Sequence, residues 1–127
     1  YKVTHRGNKV AILGLGNFFH LAKKVQAMLG EKLGIDATLI NPIYSTGLDK
    51  DVLENLKTEH SLVITLEDGV LQGGFGEKIA SYYGGSDMKV LNFGADKEFT
   101  DRTPLEELYQ RYHLTPELIV EDIKNIL

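Results

Sequence analysis

An acidic pair and a glycine cluster lie close together near the middle of the chain. Glu67 and Asp68 follow a run of apolar residues. A few residues later come three glycines, Gly73, Gly74 and Gly76. Two interpretations fit this arrangement. Either the carboxylates are a catalytic acid and base beside a phosphate-binding loop, or they belong to a structural turn that holds a helix against a sheet.

The position of the acidic pair leaves both interpretations open. Consecutive residues on a strand point to opposite faces of the sheet, so Glu67 and Asp68 would reach one substrate together only beyond the end of the strand. Asp68 precedes Gly69, and Asp-Gly is typical of turns, which favours a structural role for Asp68. Glu67 ends a predicted strand, where open α/β sheets bind ligands. From the same place its carboxylate can accept hydrogen bonds from amides that start the next helix.

Two further glycine motifs are similar to nucleotide-binding loops but are incomplete. Gly14 and Gly16 follow a predicted strand as in a dinucleotide-binding turn, but Phe19 occupies the position of the third glycine. The second strand ends in Asn41 rather than in an acid that could bind a ribose. The stretch 76–78 reads Gly-Glu-Lys, whereas a P-loop needs adjacent Gly and Lys followed by Ser or Thr. Neither motif predicts a nucleotide site.

The composition of the 127-residue chain narrows the classes of partner. Its net charge is −4 and its lysines are scattered, so the sequence predicts no nucleic-acid partner. It contains no Cys, which excludes disulfides and thiolate metal sites, and its four histidines share no metal-ligand spacing. No apolar run approaches the ~20 residues that cross a bilayer. We therefore expect a cytoplasmic location, no bound metal and no membrane partner.

Apolar, β-rich runs alternate with amphipathic helical patterns along the chain. The predicted strands, each followed by a helical pattern, are 9–16, 35–41, 61–67 and 88–94. The last is followed by two short helices, expected to begin at Pro104 and Pro116. Residues 1–5 predict an antiparallel edge strand beside the strand at 9–16. The predicted fold class is α/β, a single three-layer α/β/α domain over 1–127 with a mostly parallel sheet of about five strands.

Four parts of the sequence resemble the C-terminal domain of the transketolase-like thiamine diphosphate enzymes. They are 63-VITLEDGVLQGGFGEKI-79, 9-KVAILGLGNFFHLAKK-24, Leu48-Asp49 and the tail 94–119. In this family a strand ends in an acidic pair, and Gly-Gly-x-Gly then opens a helix. Within the family, the tail is most similar to that of the 1-deoxy-D-xylulose-5-phosphate synthases. The resemblance covers essentially the whole chain.

The resemblance implies an activity, cofactors and partners for a longer enzyme. Such synthases condense pyruvate with glyceraldehyde 3-phosphate, release CO2, and bind thiamine diphosphate and Mg²⁺ in two preceding domains. The third domain packs against the upstream domains of the same chain and contributes to a homodimer. Since the chain begins at Tyr1 without Met, we expect an excised domain that is inactive alone. The alternatives are the C-terminal domain of a 2-oxoacid dehydrogenase E1 β subunit and a stand-alone interaction module.

The resemblance also points to candidate residues on the substrate-phosphate side. In the family, an arginine in the loop after the second strand helps to hold the phosphate. Here that loop begins at Asn41, and Ile43 occupies the position of the arginine. An aliphatic side chain cannot replace a bidentate guanidinium at a phosphate. Either other residues bind the phosphate, or the protein is a paralogue with a different substrate.

Under the same resemblance, the acidic pair and the glycine cluster form a strand-to-helix junction. Glu67 is expected to cap exposed amides, and Gly73, Gly74 and Gly76 are expected to let the helix approach the sheet closely. No residue of the chain is predicted to be catalytic.

Overall fold

Five strands form one mixed sheet in the computed structural model, which describes residues 1–43, 47–70, 74–95 and 113–127. The strands are β1 (Lys2–His5), β2 (Lys9–Gly14), β3 (Thr38–Asn41), β4 (His60–Val70) and β5 (Lys89–Ala95). Their order across the sheet is β1-β3-β2-β4-β5. The pairs β2–β3, β2–β4 and β4–β5 are parallel, and β1 is antiparallel to β3. The predicted α/β class, with one antiparallel edge strand, is confirmed.

The antiparallel edge strand has a different neighbour from the predicted one. Lys2 pairs with Asn41 and Val3 with Ile40, so β1 lies beside β3 and not beside β2. The reason is that β2 is central: β3 occupies one of its edges and β4 the other. The outer edge of β3 is therefore the one to which the amino-terminal strand adds.

Helices cover both faces of this sheet. They are α1 (Phe19–Leu33), α2 (Lys50–Leu56), α3 (Phe75–Tyr83) and α4 (Pro116–Ile126), and a short 3₁₀ turn at Gly16–Phe18 precedes α1. The helix expected from Pro104 lies outside the described residues. Among the helices that are described, none combines the length and the apolar character needed to cross a membrane.

The strands supply an apolar core on each face because their side chains alternate. In β2, Val10 and Ile12 pack with the α1 and α4 side chains, whereas Ala11 and Leu13 pack with those of α2 and α3. All four of these β2 side chains are fully buried. This burial on both faces explains why the parallel strands appear in the sequence as unbroken apolar runs.

Local signals in the sequence set the ends of the helices. Gly34 ends α1 in the left-handed conformation with φ 67°, which suits glycine. Asp49 precedes α2 and its side chain accepts a hydrogen bond from the Val52 amide at 3.2 Å. That bond holds the pKa of Asp49 below its ordinary value. The Thr115 hydroxyl caps α4 in the same way, at 3.3 Å from the amide nitrogen of Leu118.

Candidate functional site

The candidate site lies along the carboxyl edge of the sheet, which we define as the ends of the four parallel strands and the loops that follow them. Glu67 lies near the end of β4, and Asn41 ends β3. The helices α1, α2 and α3 begin from the same edge. Open α/β sheets bind ligands at such edges. The residues that the sequence analysis singled out at this edge are therefore described one by one.

The Glu67 carboxylate is buried and directed at the start of α3. Its side chain is 4% exposed. One carboxylate oxygen accepts a hydrogen bond from the Phe75 amide at 3.1 Å, and the other accepts one from the Gly76 amide at 2.6 Å. Amides in the first turn of a helix have no partner within the helix, and the helix dipole favours an anion there. The geometry suits a helix-capping carboxylate, and the structural role of Glu67 stays a hypothesis.

Gly76 allows α3 to approach the sheet closely. A Cβ atom at this position would lie 2.5 Å from Thr65 Oγ1 and 2.7 Å from Asn92 Oδ1. Side chains cannot approach so closely without displacing their neighbours. Gly74, immediately before α3, has extended backbone and no side chain that could cap the helix. The first amides of α3 therefore donate their hydrogen bonds to the side chain of Glu67, on the adjacent strand β4.

A polar pair with one fully buried member, which the sequence analysis missed, lies beneath Gly76. Thr65 and Asn92 are directly paired in the β4–β5 register, and the Thr65 hydroxyl donates to Asn92 Oδ1 at 2.6 Å. Thr65 is fully buried. The available signal is one polar residue within each of two apolar runs, Thr65 in 62–66 and Asn92 in 90–93, at positions that become neighbours once the register is known.

The prediction of a turn at Asp68-Gly69 is wrong. Strand β4 continues through both residues to Val70. The β4–β5 register shifts between the pair Leu66–Phe93 and the pair Val70–Ala95, so β4 carries extra residues over this stretch. A bulge of this kind absorbs the Asp-Gly dipeptide without ending the strand. Gly73 lies outside the described residues.

The loop after β3 holds Ile43 in an unusual backbone conformation. Asn41 Oδ1 accepts a hydrogen bond from the Ile43 amide at 3.0 Å. Ile43 has φ 70°, in the left-handed region, and its side chain is 54% exposed. A β-branched residue in this region is an outlier that costs roughly 1–3 kcal/mol. The structure thus places the two predicted substrate-side residues together, one of them holding the backbone of the other.

Metal ligands of the usual side-chain types are not clustered among the described residues at this edge. A Mg²⁺ ion takes oxygen ligands, carboxylates among them. Within the described ranges, no group of three or more His, Asp or Glu side chains is placed to hold a metal ion. Both oxygens of Glu67, the buried carboxylate here, already accept amide hydrogen bonds.

Relatives of known identity match nearly the whole chain. The model of the family "Transketolase, C-terminal domain" matches residues 1–119. The 1-deoxy-D-xylulose-5-phosphate synthase of Clostridium beijerinckii is 34% identical over 121 residues, which are 94% of this chain and 19% of the synthase. The synthase of Clostridium tetani is 31% identical over 129 residues, covering 100% of this chain and 21% of its own length. The chain therefore spans about a fifth of the length of these relatives.

Solved structures have the same fold. A structure described as "Split gene transketolase, inactive beta4 tetramer" superposes with a TM-score of 0.84 at 26% identity, over 98% of this chain and 41% of the other. A 2-oxoglutarate:ferredoxin oxidoreductase from Magnetococcus marinus superposes with a TM-score of 0.61 over 98% of this chain and 19% of its own. Its 14% identity makes that a likeness of fold alone. From the family match along residues 1–119 and the shared sheet, the chain belongs to the transketolase C-terminal domain family.

Proposed function

We propose that this chain is the C-terminal domain of a thiamine diphosphate-dependent transferase that condenses pyruvate with glyceraldehyde 3-phosphate. The products are 1-deoxy-D-xylulose 5-phosphate and CO2. The observation that carries the proposal is the 34% identity to a synthase of this reaction over 94% of the chain. The synthase reaction is preferred to that of a 2-oxoacid dehydrogenase because the curated relatives reported above are synthases.

In the proposed enzyme, thiamine diphosphate and Mg²⁺ are bound by domains upstream of this one on the same polypeptide. The cofactor supplies the stabilised carbanion that pyruvate decarboxylation requires. This domain contributes packing and dimerisation, and none of its residues is assigned as catalytic. The use of Glu67 as an acceptor for the Phe75 and Gly76 amides supports a structural assignment for that carboxylate.

The loop at Asn41 and Ile43 is proposed to lie on the acceptor-substrate side of the complete enzyme. Asn41 holds the loop backbone through the Ile43 amide, and the exposed Ile43 side chain extends from the carboxyl edge. Because Ile43 carries no charge, the substrate phosphate is bound by other groups, or the acceptor differs from the one in the related synthases. Formation of the sugar phosphate by the complete enzyme separates these two cases.

The decisive experiment is turnover by the complete parent polypeptide. We would supply pyruvate, glyceraldehyde 3-phosphate, thiamine diphosphate and Mg²⁺, and measure deoxyxylulose phosphate and CO2 separately. Formation of both supports the proposal. Release of CO2 without the sugar phosphate would indicate a different acceptor, and complete inactivity of a folded, cofactor-loaded protein would overturn the proposal.

A second assay tests whether this domain acts alone. We expect no product from the 127-residue chain under the same conditions. The solved structure described as an inactive β4 tetramer of a split-gene transketolase supports this expectation, since part of that chain superposes on this one with a TM-score of 0.84. Turnover by the isolated chain would refute the assignment of catalysis to other domains.

A further inference from the structure

The first residue of the chain is fixed at the carboxyl edge of the sheet. Strand β1 is antiparallel to β3, and Lys2 pairs with Asn41, the residue that ends β3. The chain therefore enters this domain at the carboxyl edge, beside the loop that carries Ile43. In a longer polypeptide, the residues that precede Tyr1 leave from the same edge, since consecutive Cα atoms are only about 3.8 Å apart.

Three contacts hold Tyr1 in place. Its ring packs edge-on against that of Phe75, the first residue of α3, with 6.2 Å between the ring centroids. Its hydroxyl donates to the Gly47 carbonyl oxygen at 3.1 Å, and its nitrogen lies 3.2 Å from Asp49 Oδ2. In a longer chain that nitrogen is a peptide amide, which can still donate to the carboxylate. The Tyr1 side chain is 4% exposed, so the point of entry is fixed to the starts of α2 and α3.

An exposed apolar side chain lies at the same edge. In the described part of the chain, two large apolar side chains are exposed, Ile43 at 54% and Leu127 at 51%. Leu127 follows α4, whose last residue, Ile126, contacts Lys89 at the start of β5, so Leu127 lies at the opposite edge of the sheet. Ile43 is the member of this pair that lies where the chain enters. One apolar side chain in polar surroundings suits an interdomain interface, because such interfaces are more polar than obligate ones.

We propose that the domain preceding this one on the same polypeptide docks on the carboxyl edge, beside the starts of α2 and α3, with Tyr1 as the anchor of the junction. This inference rests on the proposed function, in which the upstream domains belong to the same chain. An anchored junction leaves little slack, which raises the effective concentration of the upstream domain at this edge. Ile43 then faces the crevice between the two domains, and small-ligand sites occur preferentially in such crevices.

Oxidative footprinting of the unaltered protein tests the docking. Hydroxyl radicals would label the complete polypeptide and the 127-residue chain under the same conditions, and mass spectrometry would measure the labelling at Ile43 and Leu127. Labelling at Ile43 should be lower in the complete polypeptide by roughly twofold or more, since a domain that covers one side of an exposed residue removes about half of its accessible surface. Leu127 has similar exposure at the opposite edge and should keep its labelling.

Two outcomes of the footprinting would overturn the proposal. The first is unchanged labelling at Ile43. The second is an equal loss at Ile43 and Leu127, because the protection would then not be specific to the carboxyl edge. Neither outcome depends on turnover. An active synthase can fail this test and an inactive polypeptide can pass it, which separates failure of this inference from failure of the proposed function.

Dilution distinguishes the preceding domain from a second copy of the chain as the group that covers Ile43. Protection by a domain of the same polypeptide is intramolecular, so it should not depend on protein concentration. If the protection of Ile43 in the complete polypeptide is lost on dilution, it comes from a second copy and the proposal is wrong.

A variant tests Tyr1 as the anchor. In the complete polypeptide, Tyr1→Ala should speed limited proteolysis at the junction before this domain, because the contacts with Phe75 and Gly47 are lost. Tyr82→Ala is the matched control, since Tyr82 is also partly buried but donates to Glu54 near the other ends of α2 and α3. Its junction should be cleaved at the wild-type rate. Equal cleavage of Tyr1→Ala and wild type would refute the anchor, and the footprint of the unaltered protein decides the docking even where a variant fails to fold.

Discussion

The Glu67 carboxylate accepts a hydrogen bond from the Gly76 amide at 2.6 Å, across the gap between β4 and α3. A residue larger than glycine at position 76 would displace Thr65 and Asn92. The Glu67 carboxylate and the absence of a side chain at Gly76 therefore stabilise the same strand-to-helix junction. The carboxylate satisfies the first amides of the helix, and the missing side chain lets the helix come within reach.

Removing the carboxylate should destabilise the domain. We expect Glu67→Gln to lower the free energy of unfolding by roughly 1–2 kcal/mol and Glu67→Ala by roughly 2–3 kcal/mol, because Gln keeps one acceptor and Ala leaves buried amides unpaired. Urea unfolding of the 127-residue chain measures both. Glu117→Gln, an exposed carboxylate in the first turn of α4, is the control, with an expected effect of about 0.5 kcal/mol or less. Equal effects at positions 67 and 117 would contradict the capping role.

Adding one methyl group at position 76 should also destabilise the chain. Alanine is the better helix former by about 1 kcal/mol, but its Cβ would overlap the Thr65 hydroxyl, and relieving such overlap costs roughly 1–3 kcal/mol. We therefore expect Gly76→Ala to have a lower midpoint of urea unfolding than wild type. Gly85→Ala is the matched control, since a Cβ there meets nothing within 4 Å. A Gly76→Ala variant at least as stable as Gly85→Ala would show that α3 adjusts freely.

Relieving the strain at Ile43 should stabilise the domain. Asparagine tolerates the left-handed region, so Ile43→Asn should raise the free energy of unfolding by about 1 kcal/mol. The exposed Ile43 side chain contributes little burial to lose. Ile43→Val keeps the β-branch and should leave stability near wild type. Thermal unfolding of the two variants compares them directly, and a stabilising Val or a destabilising Asn would mean that the strain is absent in solution.

A cation at position 43 tests the proposed acceptor side. In the complete polypeptide, Ile43→Arg should lower the KM for glyceraldehyde 3-phosphate and leave the KM for pyruvate unchanged, because a guanidinium binds the phosphate that only the acceptor carries. Ile43→Gln, similar in length but neutral, is the control. An unchanged KM for the acceptor in both variants would mean that another group already binds the phosphate or that the loop lies elsewhere.

The stability of the chain should depend on His60 below neutral pH. Burial lowers the pKa of the folded His60 below the ordinary 6.5, so in this window the unfolded chain binds more protons than the folded chain. The stabilising contribution of neutral His60 should therefore be fully present above pH 6.5. The free energy of unfolding should decrease as the pH falls from there through the pKa of His60 in the folded chain. Urea unfolding across this range should show a shallower decrease for His60→Gln than for wild type. Parallel curves would rule out the contribution.

The sheet could be predicted because parallel strands buried on both faces leave unbroken apolar runs in the sequence. The partner of β1 could not, since the short Lys2–His5 segment pairs through its backbone and its side chains carry little information about the neighbour. The Asp68-Gly69 dipeptide misled for a related reason. Its turn propensity is local, whereas pairing with β5 on both sides of it carries the strand onward.

The candidate site was less accessible from sequence. Nothing in the letters of residues 41–43 indicates that a β-branched residue takes the left-handed conformation, because intrinsic preference opposes it and only the Asn41 contact reveals it. The Thr65–Asn92 pair also depends on register, which residue type does not specify. In both cases the relevant interaction joins positions whose proximity is set by the tertiary fold.

The central strand β2 couples the two layers of helices, because its side chains pack into both cores. Val10 and Ile12 belong to one apolar core, Ala11 and Leu13 belong to the other, and all four side chains are fully buried. A larger side chain in place of Ala11 would push the strand toward the opposite layer. Both layers should accordingly unfold in a single calorimetric transition. Proteolysis of one helix layer should be accompanied by unfolding of the other.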